Sequence, residues 1–297
     1  MMMNGVIIVD KPEGLTSFDC IRKLKPFLEG EKIGHLGTLD PIATGVLPML
    51  IGKATKLFDV LSAEEKTYIA EMQFGIKTDT ADRTGETIMT KPVPELTEDM
   101  LKEVLQHFVG GYLQKPPAYS AKKRDGEPLY KKARNGENVE DLLEPTFVNV
   151  YSVDLLNFDP QGDTAIFRVK SGKGFYVRSF IEDTAELLDT VATMASLRRI
   201  QVGNFLLDKA IIIDTISQRK ELETALLPLE DITSHLPTLC VSGDVAQRVL
   251  SGARLELDVF RRMSGFIRVV DKEQRLLAVG HASAKRFDYT VVVGDSV

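Results

Sequence analysis

His35-Leu-Gly-Thr-Leu-Asp-Pro-Ile-Ala-Thr-Gly-Val-Leu47 is the stretch on which the reading of this chain turns. Its glycines permit unusual backbone angles, and its single acid, Asp40, stands just before a proline that biases it away from helix. Asp40 is therefore a candidate reactive carboxylate, although Asp-Pro also starts turns and the side chain could simply cap one. His35 has no HExxH or paired-histidine spacing around it to mark a metal ligand, and it could equally be structural. The wider segment 32–52 is rich in Gly, Pro and Thr, and its first half reads as an ordered loop, a kind of segment that often carries function.

Regular elements surround this loop. Gly5 to Asp10 is a short apolar run that stops at Lys11-Pro12, as a buried strand does where proline removes a ladder donor. Thr16 and Asp19 have the spacing of a capping box, followed by Phe18, Ile21, Leu24 and Leu28 at helical intervals. Tyr68, Ala70, Met72 and Phe74 alternate with Thr67, Ile69, Glu71 and Gln73, which predicts a strand with Tyr68 on its buried face. Thr97 caps a helix striped by Leu101, Val104, Leu105 and Phe108 and ended by Gly110-Gly111. Strands are expected over 148–158, 164–171 and 198–205, and a helix over 178–189. Acids and prolines accumulate between Glu221 and Pro237, the candidate domain boundary; beyond it, short strand-like runs suggest a small β-barrel.

The chain has 297 residues, enough for one large or two ordinary domains, with 43% hydrophobic and 27% charged residues, as in ordinary globular proteins. Its two cysteines, Cys20 and Cys240, cannot build a disulfide framework or a CxxC zinc site, so a reducing compartment is expected. No stretch approaches the roughly 18 apolar residues of a membrane span, and the first residues lack a signal-peptide core, so a cytoplasmic location is expected. A net charge of −6 argues against indiscriminate nucleic-acid binding. The charge is segregated, however: Lys115 to Arg134 holds seven bases (Lys115, Lys122, Lys123, Arg124, Lys131, Lys132, Arg134) against two acids. A basic patch on an acidic body suits docking of one particular polyanion, though it could also be a solvated loop.

A second cluster, Ser171-Gly-Lys-Gly-Phe-Tyr-Val-Arg-Ser179, sets a basic residue just after a glycine turn. If Arg178 lies beside Asp40, attraction lowers the acid's pKa and keeps it ionised at neutral pH; an ordinary salt bridge or phosphate contact is the alternative. Tyr68 could be a packed core residue, but a buried phenol needs a hydrogen-bond partner. No Walker loop, GxGxxG, GxSxG elbow or metal-ligand set is present. The residues alone reach a carboxylate enzyme or an RNA-docking module.

Taken in order, five blocks resemble the TruB family of tRNA pseudouridine synthases over nearly the whole chain. They are Lys11-Pro-Glu-Gly-Leu-Thr-Ser17; the 35–47 stretch; Lys66-Thr-Tyr68 with Gly75, Thr78, Thr80, Asp82 and Gly85; Lys115-Pro-Pro-Ala-Tyr-Ser-Ala-Lys122 with Tyr130, Ala133, Arg134 and Gly136; and Gly174-Phe-Tyr-Val-Arg-Ser179 leading to Leu197-Arg-Arg199. The resemblance implies a mixed α+β fold over 1–232, with a central, largely antiparallel sheet flanked by helices. It further implies an RNA-clamping insertion near 111–138 and a PUA-like RNA-binding barrel over 236–297. The implied activity is isomerisation of the uridine numbered 55 in the T-arm of tRNA, without cofactor or metal, guide RNA or membrane, by a protein expected to be a monomer. Asp40 matches the essential carboxylate, Arg178 its partner, and Tyr68 the ring that stacks on the flipped base and assists removal of the C5 proton. His35 matches the residue that fills the vacated space and Leu197 a packing residue of the pocket. Lys11 joins Lys115, Lys122, Lys123, Arg124, Lys131, Lys132 and Arg134 among the expected RNA contacts. This chain departs from the family at Ser171, often cysteine; at Phe175, where threonine is usual and the larger ring would overfill the space beneath Arg178; and at Ala185 and Asp189, usually glycines. A non-catalytic tRNA chaperone using the same clamp is the alternative from another class, and a guide-RNA-dependent synthase is a third.

Overall fold

A run of consecutive buried residues from Gly5 to Val9 opens strand β1 (Gly5–Lys11), which lies inside a sheet covered on both faces. The computed structural model describes residues 2–62, 65–118, 143–256, 262–284 and 286–294, with the backbone alone at 123–124, 127–128 and 256. Helix α1 (Ser17–Leu24) starts at the predicted capping box, where the Thr16 hydroxyl accepts from the Asp19 N–H and the Asp19 carboxylate accepts from the Thr16 N–H. It stops earlier than its apolar spacing suggested, because Lys25-Pro26-Phe27 tightens into a 3-10 turn.

The 35–47 stretch connects two strands, β2 (Ile33–His35) and β3 (Thr44–Ile51), which pair antiparallel with each other. Next come β4 (Lys66–Phe74), the hairpin β5 (Ile76–Thr78) and β6 (Thr87–Thr90), and helix α2 (Glu98–His107), capped by Thr97 as expected. A two-stranded ribbon of β7 (Tyr112–Gln114) and β8 (Thr146–Val148) brackets the basic insertion. Then follow β9 (Val150–Asp159), β10 (Thr164–Ser171), α3 (Val177–Leu187) and β11 (Ala192–Val202). The last of these begins six residues ahead of the expected Arg198, since Ala192 to Leu197 already pair with β4.

The central sheet runs β9–β10–β4–β11–β3–β1, with Ile211–Ile212 at its edge. Most neighbours are antiparallel; β11 joins β3, and β1 joins the edge strand, in parallel. The parallel join requires Gly45: a Cβ there would sit 2.1 Å from the Arg199 carbonyl oxygen. One large core fills the space between this sheet and helices α1, α2 and α3.

Five strands form a second sheet: β12 (Thr238–Cys240), β13 (Leu255–Glu256), β14 (Gly265–Val270), β15 (Leu276–Ser283) and β16 (Arg286–Val292), ordered β12–β14–β15–β16–β13. It packs against the back of the central sheet, since Val270, Leu276, Val279 and Val291 share a core with Val6, Ile8, Leu50 and Leu57. The Lys53 ammonium fastens the contact by donating to the carbonyls of Val293 and Gly294. Among the described residues, no helix is long and apolar enough to cross a membrane.

Candidate active site

Asp40 sits in the loop between β2 and β3, and three neighbours fix that loop. The Ser17 hydroxyl, at the start of α1, accepts from the Leu39 N–H at 2.9 Å. Gly14 donates its N–H to the Pro41 carbonyl at 2.8 Å. Lys11, with no exposed surface, directs its ammonium to the carbonyls of Leu15 (2.6 Å), Pro12 (2.9 Å) and Pro41 (3.3 Å). Its ammonium ties the strand end to the Asp40-Pro41 turn, the architectural role that a strand-closing Lys-Pro suggests.

Arg178 belongs to the first turn of α3, which the Gly172–Gly174 turn aims at this loop. Its Nη2 lies 3.0 Å from Asp40 Oδ2, and its Nη1 donates to the Thr80 carbonyl at 2.9 Å. The arginine side chain is 6% exposed and that of Asp40 35%, so the carboxylate is half-buried with one side open while its partner is held from behind. The 78–86 turn that supplies Thr80 is built on buried Asp82, whose carboxylate accepts from the Thr80 hydroxyl, the Thr84 hydroxyl and the Thr84 N–H. Asp82 belongs to the quoted Thr78–Gly85 run, but spacing alone gave it no role.

Arg178 lies beside Asp40 and draws its pKa down, yet burial carries the net displacement the other way. Burial raises it; Arg178 pulls it down, Asp82 pushes it up and Lys11 pulls it down, with a net displacement upward. The guanidinium does attract the carboxylate, but removing the acid from water costs more than that attraction returns.

Tyr68 is buried on β4, on the face predicted by the alternation, and it pairs in register with Arg199 of β11. Arg199 is 1% exposed; its Nε donates to the Val46 carbonyl at 2.8 Å and its Nη2 to the Gly37 carbonyl at 3.0 Å. The same guanidinium lies close enough to the Tyr68 hydroxyl for its charge to act on the phenol. Burial raises the Tyr68 pKa, Arg199 pulls it down, and Asp40 is near enough for its charge to add to the rise. In the sequence Arg199 is only the end of a motif. Its importance comes from strand pairing across more than a hundred residues.

Leu197 lines the same apolar wall, buried and in register with Ala70. His35 ends β2 with its Nδ1 buried and without a hydrogen-bond partner among the described residues, and burial together with the Arg199 charge lowers its pKa, favouring the neutral ring. The expected overfilling at Phe175 does not separate the pair. Its ring joins Phe180 at 5.5 Å in an aromatic stack continuing to Phe167 and Phe108, and Arg178 still reaches Asp40. Of the expected clamp, Lys115 is exposed at the foot of the ribbon. Lys122, Lys131, Lys132 and Arg134, and the side chains of Lys123 and Arg124, lie outside the described residues.

The geometry thus joins a buried guanidinium, a half-buried carboxylate and a buried phenol, with a second guanidinium between the phenol and a histidine whose burial favours its neutral ring. A family model described as TruB family pseudouridylate synthase (N terminal domain) matches residues 25–177. The tRNA pseudouridine synthase B of Stutzerimonas stutzeri strain A1501 is 39% identical, over 95% of this chain and 92% of that protein. The protein of the same name from Solibacter usitatus strain Ellin6076 is 36% identical, over 98% of this chain and all of its own. A chain in the crystal structure of a Cbf5-Nop10-Gar1 complex superposes with a TM-score of 0.71 at 25% identity, covering 97% of this chain and 84% of that one.

Proposed function

The chain belongs to the TruB family of pseudouridylate synthases, and from that membership we propose that it converts the uridine at position 55 in the T-arm of tRNA to pseudouridine. The reaction breaks the N1–C1′ bond, turns the base, and joins C5 to C1′; the C5 proton leaves and N1 gains one. Neither C1′ nor C5 is accessible in a stacked loop, so the nucleotide is everted, at a cost of about a few kcal/mol. His35 fills the space that it leaves, and the Tyr68 ring replaces lost stacking, worth roughly 1–3 kcal/mol per base.

Asp40 acts at C1′ as its ionised form, either by attacking the sugar or by promoting elimination. Arg178, directed from behind by the Thr80 carbonyl, holds the carboxylate in place and leaves its open side for the ribose. The Tyr68 hydroxyl assists removal of the C5 proton, a step the adjacent Arg199 charge favours by stabilising the phenolate. The basic segment beginning at Lys115 grips the stem through phosphates, and residues 236–297 form a PUA-like second RNA-binding domain behind the catalytic domain, 1–232. The protein acts in the cytoplasm as a monomer without guide RNA.

The observation that carries this reading is the 3.0 Å contact between Arg178 and Asp40 beside Tyr68: a binding module needs a basic patch, not a reactive carboxylate held by a buried arginine. Purified protein mixed with unmodified T stem-loop RNA should convert one uridine, detected by site-specific chemical mapping of pseudouridine. Binding without conversion supports the chaperone reading. Conversion only with an added guide RNA supports the guide-dependent one.

A further inference from the structure

Helix α3 begins at Tyr176 without a side-chain cap of its own. The chain end is held from another element instead. Gln114 Oε1 accepts from the Tyr176 N–H at 2.8 Å, and Gln114 Nε2 donates to the Tyr176 carbonyl at 3.0 Å. One side-chain amide therefore occupies both backbone groups of the residue two positions ahead of Arg178, much as a neighbouring strand would. The remaining Nε2 hydrogen goes to the Tyr112 hydroxyl at 2.6 Å, and that hydroxyl donates to Asp183 of α3 at 2.8 Å. Gln114 is 1% exposed, so no water substitutes for these bonds.

Gln114 lies in β7, paired with Thr146 of β8, and this ribbon brackets residues 115–145 with their basic cluster. We propose that Gln114 is a positioning residue for Arg178: the root of the RNA-gripping insertion sets the first turn of α3, and through it the arginine that holds Asp40. The proposal rests on the reading of Arg178 and Asp40 as the reactive pair. Physically, a hydrocarbon in place of the amide removes the bonds that Gln114 makes to the Tyr176 N–H and carbonyl, leaving the carbonyl its helical bond from the Phe180 N–H, and the first turn loses its tether to β7. A shift of an ångström there is enough to misplace a guanidinium that makes its contacts at 2.9 and 3.0 Å.

The test is Gln114→Met, which keeps length and removes the amide. Single-turnover conversion of a T stem-loop RNA is followed from about pH 5 to 8, with RNA affinity measured alongside and a crystal structure of the variant. The charged groups facing Asp40 are Arg178, Asp82 and Lys11, of which only Arg178 depends on α3. The expected result is conversion slowed by about tenfold or more with Kd within about twofold, because binding is retained while the reacting geometry is lost. The acid limb of the rate profile moves to higher pH, since Asp40 keeps its burial and loses part of its counter-charge. A merely structural glutamine lowers the folded fraction only; a rate per folded molecule and an acid limb equal to wild type overturn the proposal. So does a variant structure in which Arg178 still contacts Asp40 as before. If the wild-type protein itself converts no uridine, the functional reading fails, and the variant structure still decides whether Gln114 sets Arg178.

Discussion

Arg199 stands directly across the sheet from Tyr68, one register position shared between β11 and β4, with its guanidinium beside the phenol and donating to the carbonyls of Val46 and Gly37. A buried cation beside a buried phenol stabilises the phenolate that proton removal from C5 calls for. Arg199→Met and Tyr68→Phe should each slow loss of tritium placed at C5 of the target uridine, by roughly tenfold or more. Because the two groups act as a unit, the double variant should be little worse than the slower single one. Losses that multiply would show that Arg199 serves the Gly37 loop alone.

On the proposed mechanism Asp40 reacts as its anion, and burial raises its pKa. The sign follows: the reactive form is lost as pH falls, and that loss begins at a higher pH than for an ordinary carboxylate titrating near about 3.9. Arg178→Met removes the strongest group pulling the pKa down, so the acid limb of its rate profile should lie at higher pH than that of wild type. A stopped single-turnover series across pH measures both curves. An unmoved limb would mean that the guanidinium does not govern the carboxylate.

Ser171 ends β10 fully buried, and its hydroxyl has no hydrogen-bond partner among the described residues. A cysteine, common there in the family, fills the site without a strongly polar group; serine leaves a desolvated one. Ser171→Cys should therefore stabilise the protein by about 1 kcal/mol. Calorimetry should find a Tm higher by roughly 2–4 °C, with conversion unchanged. A lowered Tm would indicate a partner for the hydroxyl.

Local signals gave the local structure. The Thr16 and Asp19 spacing produced its capping box, the 68–74 alternation put Tyr68 on the buried face, and Thr97 capped its helix. Asp40, Arg178 and Tyr68 were found because motif residues carried them, and the fold brings them to one wall. What stayed hidden depends on pairing between distant segments. Arg199 reaches Tyr68 only through strand register, and Gln114 reaches Tyr176 only where the insertion ribbon meets α3. The net sign of the Asp40 displacement is hidden for a similar reason: motif order points to the partner, whereas burial is set by residues from several elements at once. Asp189 shows the reverse case. It occupies the left-handed position after α3 (φ 56°) that a glycine usually takes, and the helix still closes, with Thr190 donating its N–H to the Ala185 carbonyl.

The central claim is that one carboxylate performs the chemistry while other groups bind the RNA. Asp40→Asn keeps the shape and removes the charge, so pseudouridine formation in a T stem-loop RNA should fall by roughly 10³-fold or more while RNA affinity stays within about threefold. Conversion by the asparagine variant at a rate near that of wild type would contradict the account.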